Sequence, residues 1–145
     1  THVTLGELSS EALKICRQNI RRSGLSGRVG SLQMDAMAKP DKSLGEFDCI
    51  VSNPPYIPAA DCLELQEEVR REPMMALDGG ADGYDFYRRI AEDAPWFLEP
   101  GGTLLMEVGF DQAERVMALC ERAGLTPIAI HEDYQHIPRI VEARL

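Results

Sequence analysis

Residues 47–52, Phe-Asp-Cys-Ile-Val-Ser, are a short and nearly continuous apolar run that stops at Asn53-Pro54-Pro55-Tyr56. Such a run suits a strand covered on both faces. Two successive prolines cannot continue a central ladder, so the strand must end there. The run therefore predicts an interior strand that delivers an asparagine and a stiff Pro-Pro step to one edge of a sheet.

The surrounding pattern extends that reading. Residues 3–8 read as a short strand ending in an acid, with Ser9 and Ser10 as candidate caps. From Glu11 onward Ala12, Leu13, Ile15, Cys16, Asn19 and Ile20 recur at helical spacing, and Gly24 suits the position after the helix. Residues 28–34 read as a second strand with Asp35 at its end, and 36–46 as a loop or short helix. Residues 58–82 are long, acidic and irregular, with a helical piece expected around Leu63–Arg71; a connection of that length in a compact domain is usually functional or disordered. Tyr84–Leu98 is helical by period, Pro100-Gly101-Gly102 a turn, and Thr103–Val108 a buried strand. Asp111–Ala123 is a helix stopped by Gly124. Pro127–His131 and Arg139–Leu145 are closing strands joined by a turn around Tyr134–Pro138. Alternation of this kind predicts an α/β fold: a mostly parallel sheet with helices on both faces and an antiparallel C-terminal strand. In such sheets ligands bind beyond the carboxyl ends of the strands, where Glu7, Asp35 and Asn53 all fall.

The chain has 145 residues, enough for one domain, and its net charge is −9. An acidic surface disfavours nucleic acid, whose binding rests on basic contacts. Arg17, Arg21, Arg22 and Arg28 form a local basic group that reads as a solvated face. No apolar run approaches the ~20 residues of a membrane span, and the N-terminus does not read as a signal peptide. Cys16, Cys49 and Cys120 sit in apolar periodic segments, as small core residues do. Cys62 completes the set, and no pair has CxxC spacing. His2, His131 and His136 match no metal set. A reducing cytoplasm is the default setting.

Asn53, Pro54, Pro55 and Tyr56 suit one kind of chemistry. Methylating a planar nitrogen is difficult because its lone pair is delocalised. Two fixed acceptors on its N–H groups push density back onto the nitrogen. The Asn53 side-chain oxygen can be one acceptor and the Pro54 carbonyl the other, while Tyr56 lies against the planar group. The plain alternative is a strand that ends in a proline turn with Tyr56 packed at the surface. Glu7, closing a strand, can bind both hydroxyls of a ribose or simply cap the next helix. Asp35, with Ala36, can meet an adenine amino group or cap a short helix. Glu72-Pro73 with Arg70 and Arg71 can shape a substrate mouth or form a loop ion pair, and Glu107 can lie just behind the site. Asp78-Gly79-Gly80-Ala81-Asp82-Gly83 lacks the spacing of a calcium loop and reads as a glycine-rich turn before a helix.

These residues resemble the C-terminal catalytic domain of the HemK/PrmC family, the protein-(glutamine-N5) methyltransferases of peptide chain release factors. The matching stretches are Ser52–Ile57, Val69–Pro73 with Ala76-Leu77, Asp78–Gly83, Tyr87–Ile90, Glu107–Gly109 with Gln112, and Asp133-Tyr134 with Arg139–Val141. The resemblance implies a class I, Rossmann-like methyltransferase fold with S-adenosylmethionine as donor. It also implies the glutamine of a Gly-Gly-Gln loop as acceptor. Asn53–Tyr56 match the substrate motif, Glu7 the ribose acid, and Ala36 an adenine-contacting position. The family's glycine-rich turn and first strand are absent from this chain, so it resembles a single catalytic domain that starts at the second strand. In the family the first strand normally lies between those at residues 3–8 and 47–52, so unpaired edges, self-association through them and weak cofactor binding by the chain alone are expected. Two other readings stay open: methylation of an exocyclic amine on adenine or guanine, and a fragment inactive on its own.

Overall fold

The computed structural model describes residues 1–39, 41–65 and 71–145. The chain divides into two compact units, Thr1–Pro40 and Asp41–Leu145.

The first unit is a β-α-β crossover. Strand β1 (Val3–Glu7) and strand β2 (Val29–Gln33) run parallel, in register from Val3 opposite Val29 to Glu7 opposite Gln33. Helix α1 (Ser10–Arg22) connects them and buries Leu13. Its first turn is capped by Ser9, whose Oγ accepts from the Ala12 N–H at 3.2 Å. Arg21 and Arg22 occupy the last turn, where cations complement the helix dipole.

The second unit is a four-stranded sheet in the order β3-β4-β6-β5. Strand β3 (Phe47–Ser52) lies parallel to β4 (Leu98–Glu107). Strand β6 (Pro138–Arg144) is antiparallel to both β4 and β5 (Thr126–Glu132). Helices α2 (Asp85–Asp93) and α3 (Ala113–Arg122) enclose one core with the sheet. Tyr87, Leu104, Met106, Val108, Val116, Cys120 and Val141 are fully buried in it. Burial pushes the Cys120 thiol up to about 11.

Several elements differ from expectation. The run at 47–52 is not covered on both faces. Ile50 packs on the core, whereas Val51 is 74% exposed and Cys49 is exposed as well. Both helices of this unit share a core on one sheet face, so the residues of β3 that alternate with Ile50 have no helix of the unit over them. Cys49 is therefore not a core residue, and Cys16 is only half-buried. The helix expected through Leu98 ends at Asp93, and Ala94–Trp96 tightens to a 3₁₀ turn. Pro95, without an N–H, accounts for the stop. The turn at Pro100-Gly101-Gly102 lies inside β4. Phe47 pairs with Leu98 but Cys49 with Thr103, so the three residues bulge from the ladder. The helix expected around Leu63–Arg71 falls largely outside the described residues; on either side lie 3₁₀ turns at Asp61–Leu63 and Met74–Ala76.

Among the described residues strand β1 pairs with β2 alone and β3 with β4 alone, so each is the outer strand of its own sheet. No helix among the described residues is long and apolar enough to cross a membrane.

Candidate functional site

In the second unit β3 ends at Ser52, opposite Met106, and Asn53 follows at its carboxyl end. Asn53 is exposed, Pro54 buried, and Pro55 and Tyr56 half-buried. Among the described residues nothing hydrogen-bonds the Asn53 side chain, and no backbone N–H reaches the Pro54 carbonyl. Among the described residues, both oxygens are thus uncommitted.

The chain just beyond is held tightly. The Ile57 N–H donates to the Leu77 carbonyl at 3.0 Å, and the Gly79 N–H donates to the Ile57 carbonyl at 2.8 Å. Ala59 donates to the Gly80 carbonyl at 2.9 Å. The segment Leu77–Gly83 therefore lies along residues 56–59 like a short extra strand, with a parallel bridge between Ile57 and Asp78. Glycine is required for this approach. A Cβ on Gly79 would sit 2.7 Å from the Tyr56 Cα, and one on Gly83 would sit 2.5 Å from the Tyr56 carbonyl oxygen.

The acids of this loop are turned to structure. Asp78 Oδ1 accepts from the Gly80 N–H at 2.8 Å. Asp82 Oδ1 accepts from the Tyr84 N–H at 3.2 Å. Asp82 Oδ2 takes guanidinium N–H groups from Arg88 and from Arg115, the latter at 2.7 Å. Arg88 also donates to Asp85 at 2.8 Å, and Arg115 lies 4.0 Å over the Tyr84 ring. The glycine-rich turn expected before α2 is thus tied to α2 and α3. No group of three or more His, Cys, Asp or Glu among the described residues could hold a metal.

The Arg88 hydrogen bond holds the Asp82 carboxyl below its usual range. Its folded pKa lies below its unfolded one, so its contribution is complete above the ordinary carboxylate pKa. It is lost as pH falls through the folded value. We expect the protein's thermal midpoint to drop between about pH 5 and pH 3, and Asp82→Asn to flatten that drop. Equal acid sensitivity of variant and parent, compared by calorimetry, would remove Asp82 from the account.

Gln112 was not singled out by residue-level reasoning, and it proves to be the one buried polar side chain among the described residues. Its Nε2 donates to the Tyr56 carbonyl at 3.1 Å and to the Gly83 carbonyl at 3.5 Å. Its Oε1 accepts from the Gly109 N–H at 3.0 Å and from the Tyr87 hydroxyl at 3.1 Å. Burial raises the Tyr87 hydroxyl well above its ordinary value, so it stays a donor. The single Tyr87 hydroxyl proton is shared between Gln112 Oε1 and the Glu107 backbone carbonyl, also at 3.1 Å, which is how Glu107 enters this region. A glutamine where a helix normally begins with a small capping residue was the available signal.

In the first unit Glu7 and Asp35 lie at the same end of the parallel pair, and the Met34 N–H donates to the Glu7 carbonyl at 3.1 Å. Glu7 Oε1 accepts from the Ser9 N–H at 2.7 Å, just ahead of the helix that Ser9 itself caps. Its other oxygen has no partner among the described residues. Asp35 Oδ1 accepts from the Met37 N–H at 2.8 Å and holds the turn that carries half-buried Ala36. Of the substrate-mouth residues, Arg70 lies outside the described residues, and Pro73 leads into the 3₁₀ turn at Met74–Ala76.

Comparison with known proteins places this architecture. A family model described as an RMKL-like methyltransferase domain matches residues 3–72. A methyltransferase structure from Pyrococcus furiosus superposes with a TM-score of 0.71 at 20% identity, covering 99% of this chain and 62% of that one. The structure of a release factor-specific protein-(glutamine-N5) methyltransferase from Alicyclobacillus acidocaldarius gives 0.53 at 22% identity, covering 99% of this chain and 79% of that one. The fold is that of the class I methyltransferases. In sequence, the release factor glutamine methyltransferase of Geobacter sulfurreducens is 45% identical over 142 residues, or 96% of this chain and 48% of that protein. The chain spans about half the length of the curated relatives it matches, and over that half it is 36–45% identical to proteins named release factor glutamine methyltransferase.

Proposed function

We propose that the protein transfers a methyl group from S-adenosylmethionine to the side-chain amide nitrogen of a glutamine, the one in the Gly-Gly-Gln loop of peptide chain release factors. The observation that carries this reading is the pair of acceptors, the Asn53 side chain and the Pro54 carbonyl, at the end of β3, both uncommitted among the described residues. Sequence relatives with that printed name, at 36–45% identity, support it. The acidic charge of the chain, −9, weighs against a nucleic-acid substrate.

In this reading Asn53 and the Pro54 carbonyl each accept one N–H of the substrate amide and hold its plane. Both oxygens withdraw the protons partway, so density returns to the nitrogen as the new bond forms. Pro55 keeps the carbonyl aimed by fixing the backbone, and Tyr56 covers the face of the amide. The amide N–H proton leaves to solvent after transfer, and no base of shifted pKa is required. S-adenosylmethionine, when bound, supplies the electrophilic methyl. The fit of the first unit supports that donor: among the described residues one Glu7 carboxylate oxygen has no partner and can meet ribose hydroxyls, and Asp35 with Ala36 lies at the same end of the strand pair for the adenine. The uncovered edges of β1 and β3 are where a further strand, or a second copy, would add. The reaction would proceed in the cytoplasm.

Labelled S-adenosylmethionine, supplied with the full protein, a release factor and duplex or single-stranded nucleic acid, tests the reading. Label on the Gly-Gly-Gln glutamine, located by peptide mass, is the expected outcome. Label in nucleic acid with none in the release factor would overturn it.

A further inference from the structure

We propose that Gln112 is a positioning residue for the methyl-acceptor site, acting through the Tyr56 carbonyl. The inference rests on the functional reading above and deepens it. Four backbone or side-chain groups converge on the one amide. Its two N–H groups face the Tyr56 and Gly83 carbonyls, and its oxygen faces the Gly109 N–H and the Tyr87 hydroxyl. Every donor and acceptor of the amide is used, so its orientation is determined. The four partners come from four elements: the Asn53–Tyr56 segment, the glycine loop, the end of β4 and α2. The side chain is 6% exposed, which makes each of these bonds worth keeping.

Local helix rules do not explain the residue. Gln112 occupies the N-cap position of α3, yet its side chain makes no capping bond. It turns back toward Gly109, where a Cβ would sit 2.7 Å from its Oε1. A glycine is thus spent to admit the glutamine, and the glutamine reaches Tyr56, 56 residues earlier in the chain. Places where a sequence breaks a local preference are often functional.

The consequence for the site follows from chain stiffness. Two peptide links join the Tyr56 and Pro54 carbonyls, and Pro55 has its φ locked by its ring. Anchoring the Tyr56 carbonyl therefore restricts the Pro54 carbonyl, which has no anchor of its own among the described residues. Small misplacements at a reacting centre carry large rate penalties.

Gln112→Met and Gln112→Glu in the full protein separate positioning from simple stability. The Met variant keeps the shape and removes all four bonds. The Glu variant keeps the acceptor for Gly109 and Tyr87 and, while ionised, loses the donor to Tyr56. Amide hydrogen exchange should accelerate about tenfold at Ile57 and Gly79 in the Met variant, the scale of one lost hydrogen bond. Exchange at Val141, deep in the core, should change much less. Turnover should fall about tenfold with the cofactor KM unchanged. Burial raises the pKa of the Glu carboxyl, and once protonated it can donate again. Its turnover relative to the parent should therefore recover as pH is lowered, whereas that of the Met variant should not. Uniformly faster exchange at all three amides, or unchanged exchange at Ile57 and Gly79, would overturn the proposal. If the Met variant does not fold, the pH dependence of the Glu variant decides. A parent that leaves glutamine unmethylated would defeat the functional reading alone, since the exchange rates still decide whether Gln112 holds Tyr56.

Discussion

Asn53→Ala should lower methyl transfer by roughly a hundredfold or more while leaving the fold intact. The magnitude is that of removing one preorganised polar partner from a reacting centre. It corresponds to about 2.7 kcal/mol of transition-state stabilisation. The fold should tolerate the change because Asn53 is exposed and its side chain has no internal hydrogen bond among the described residues. Substitutions away from packed or bonded features usually shift stability by no more than ~0.5 kcal/mol. The defect should reside in kcat, since the hydrogen bond gains strength as the nitrogen gives up its lone pair. Asn53→Asp should recover part of the loss, because it restores an acceptor at the same reach. Turnover within about threefold of the parent, at saturating release factor, would show that Asn53 is not an acceptor.

The legible parts of this chain were those governed by short-range pattern. The period of Ala12, Leu13, Ile15, Cys16 and Ile20 and the capping serine placed α1 within a residue of its observed start. The closing strands and their antiparallel pairing followed from the absence of a helix between them. The proline pair placed the end of β3 correctly. What could not be read was which face of a strand finds cover. The apolar run at 47–52 has the composition of a doubly covered strand, but cover is supplied by other elements, and here Val51 stays exposed. The loop at 77–83 was read as a turn leading to a helix, and it is one. Its second role, lying along Ile57 by backbone hydrogen bonds, depends on a pairing of Ile57 with Asp78, 21 residues on, that leaves no periodic trace. Gln112 illustrates the same limit more strongly. A glutamine at a helix start departs from the usual capping residues, but that departure says nothing of its partners at Tyr56, Gly83 and Tyr87. For the candidate site, Asn53–Tyr56 could be singled out because the tetrapeptide follows a strand in an alternating α/β pattern, whereas the glycine loop and Gln112 that hold its backbone could not.

The glycines of that scaffold give the second large effect. Gly83→Ala should destabilise the protein by about 2–4 kcal/mol, from two sources. Gly83 has φ +76°, a region in which an L side chain costs about 1–2 kcal/mol. The new methyl would also lie 2.5 Å from the Tyr56 carbonyl oxygen and 3.2 Å from both Gln112 Nε2 and Pro58 Cδ. The first contact is with backbone, which cannot move aside as a side-chain tip can. Gly124→Ala separates the two sources. Gly124 has φ +88°, yet a Cβ there meets nothing within 4 Å, so only the backbone term of about 1 kcal/mol should appear. The excess at Gly83 then measures the close approach to Tyr56. Gly79→Ala tests the same contact without a positive φ, for its Cβ would meet the Tyr56 Cα at 2.7 Å and the Tyr56 carbonyl carbon at 2.9 Å. Both substitutions push on one residue, so their combined cost should fall short of the sum of the two. Their effect on turnover should exceed what the loss of folded protein explains, because the displaced Tyr56 backbone carries the Pro54 carbonyl with it. Denaturant unfolding of the three single variants and the double variant supplies the energies. Equal destabilisation at Gly83 and Gly124 would mean that the loop does not press on Tyr56, and that the glycine serves the turn alone.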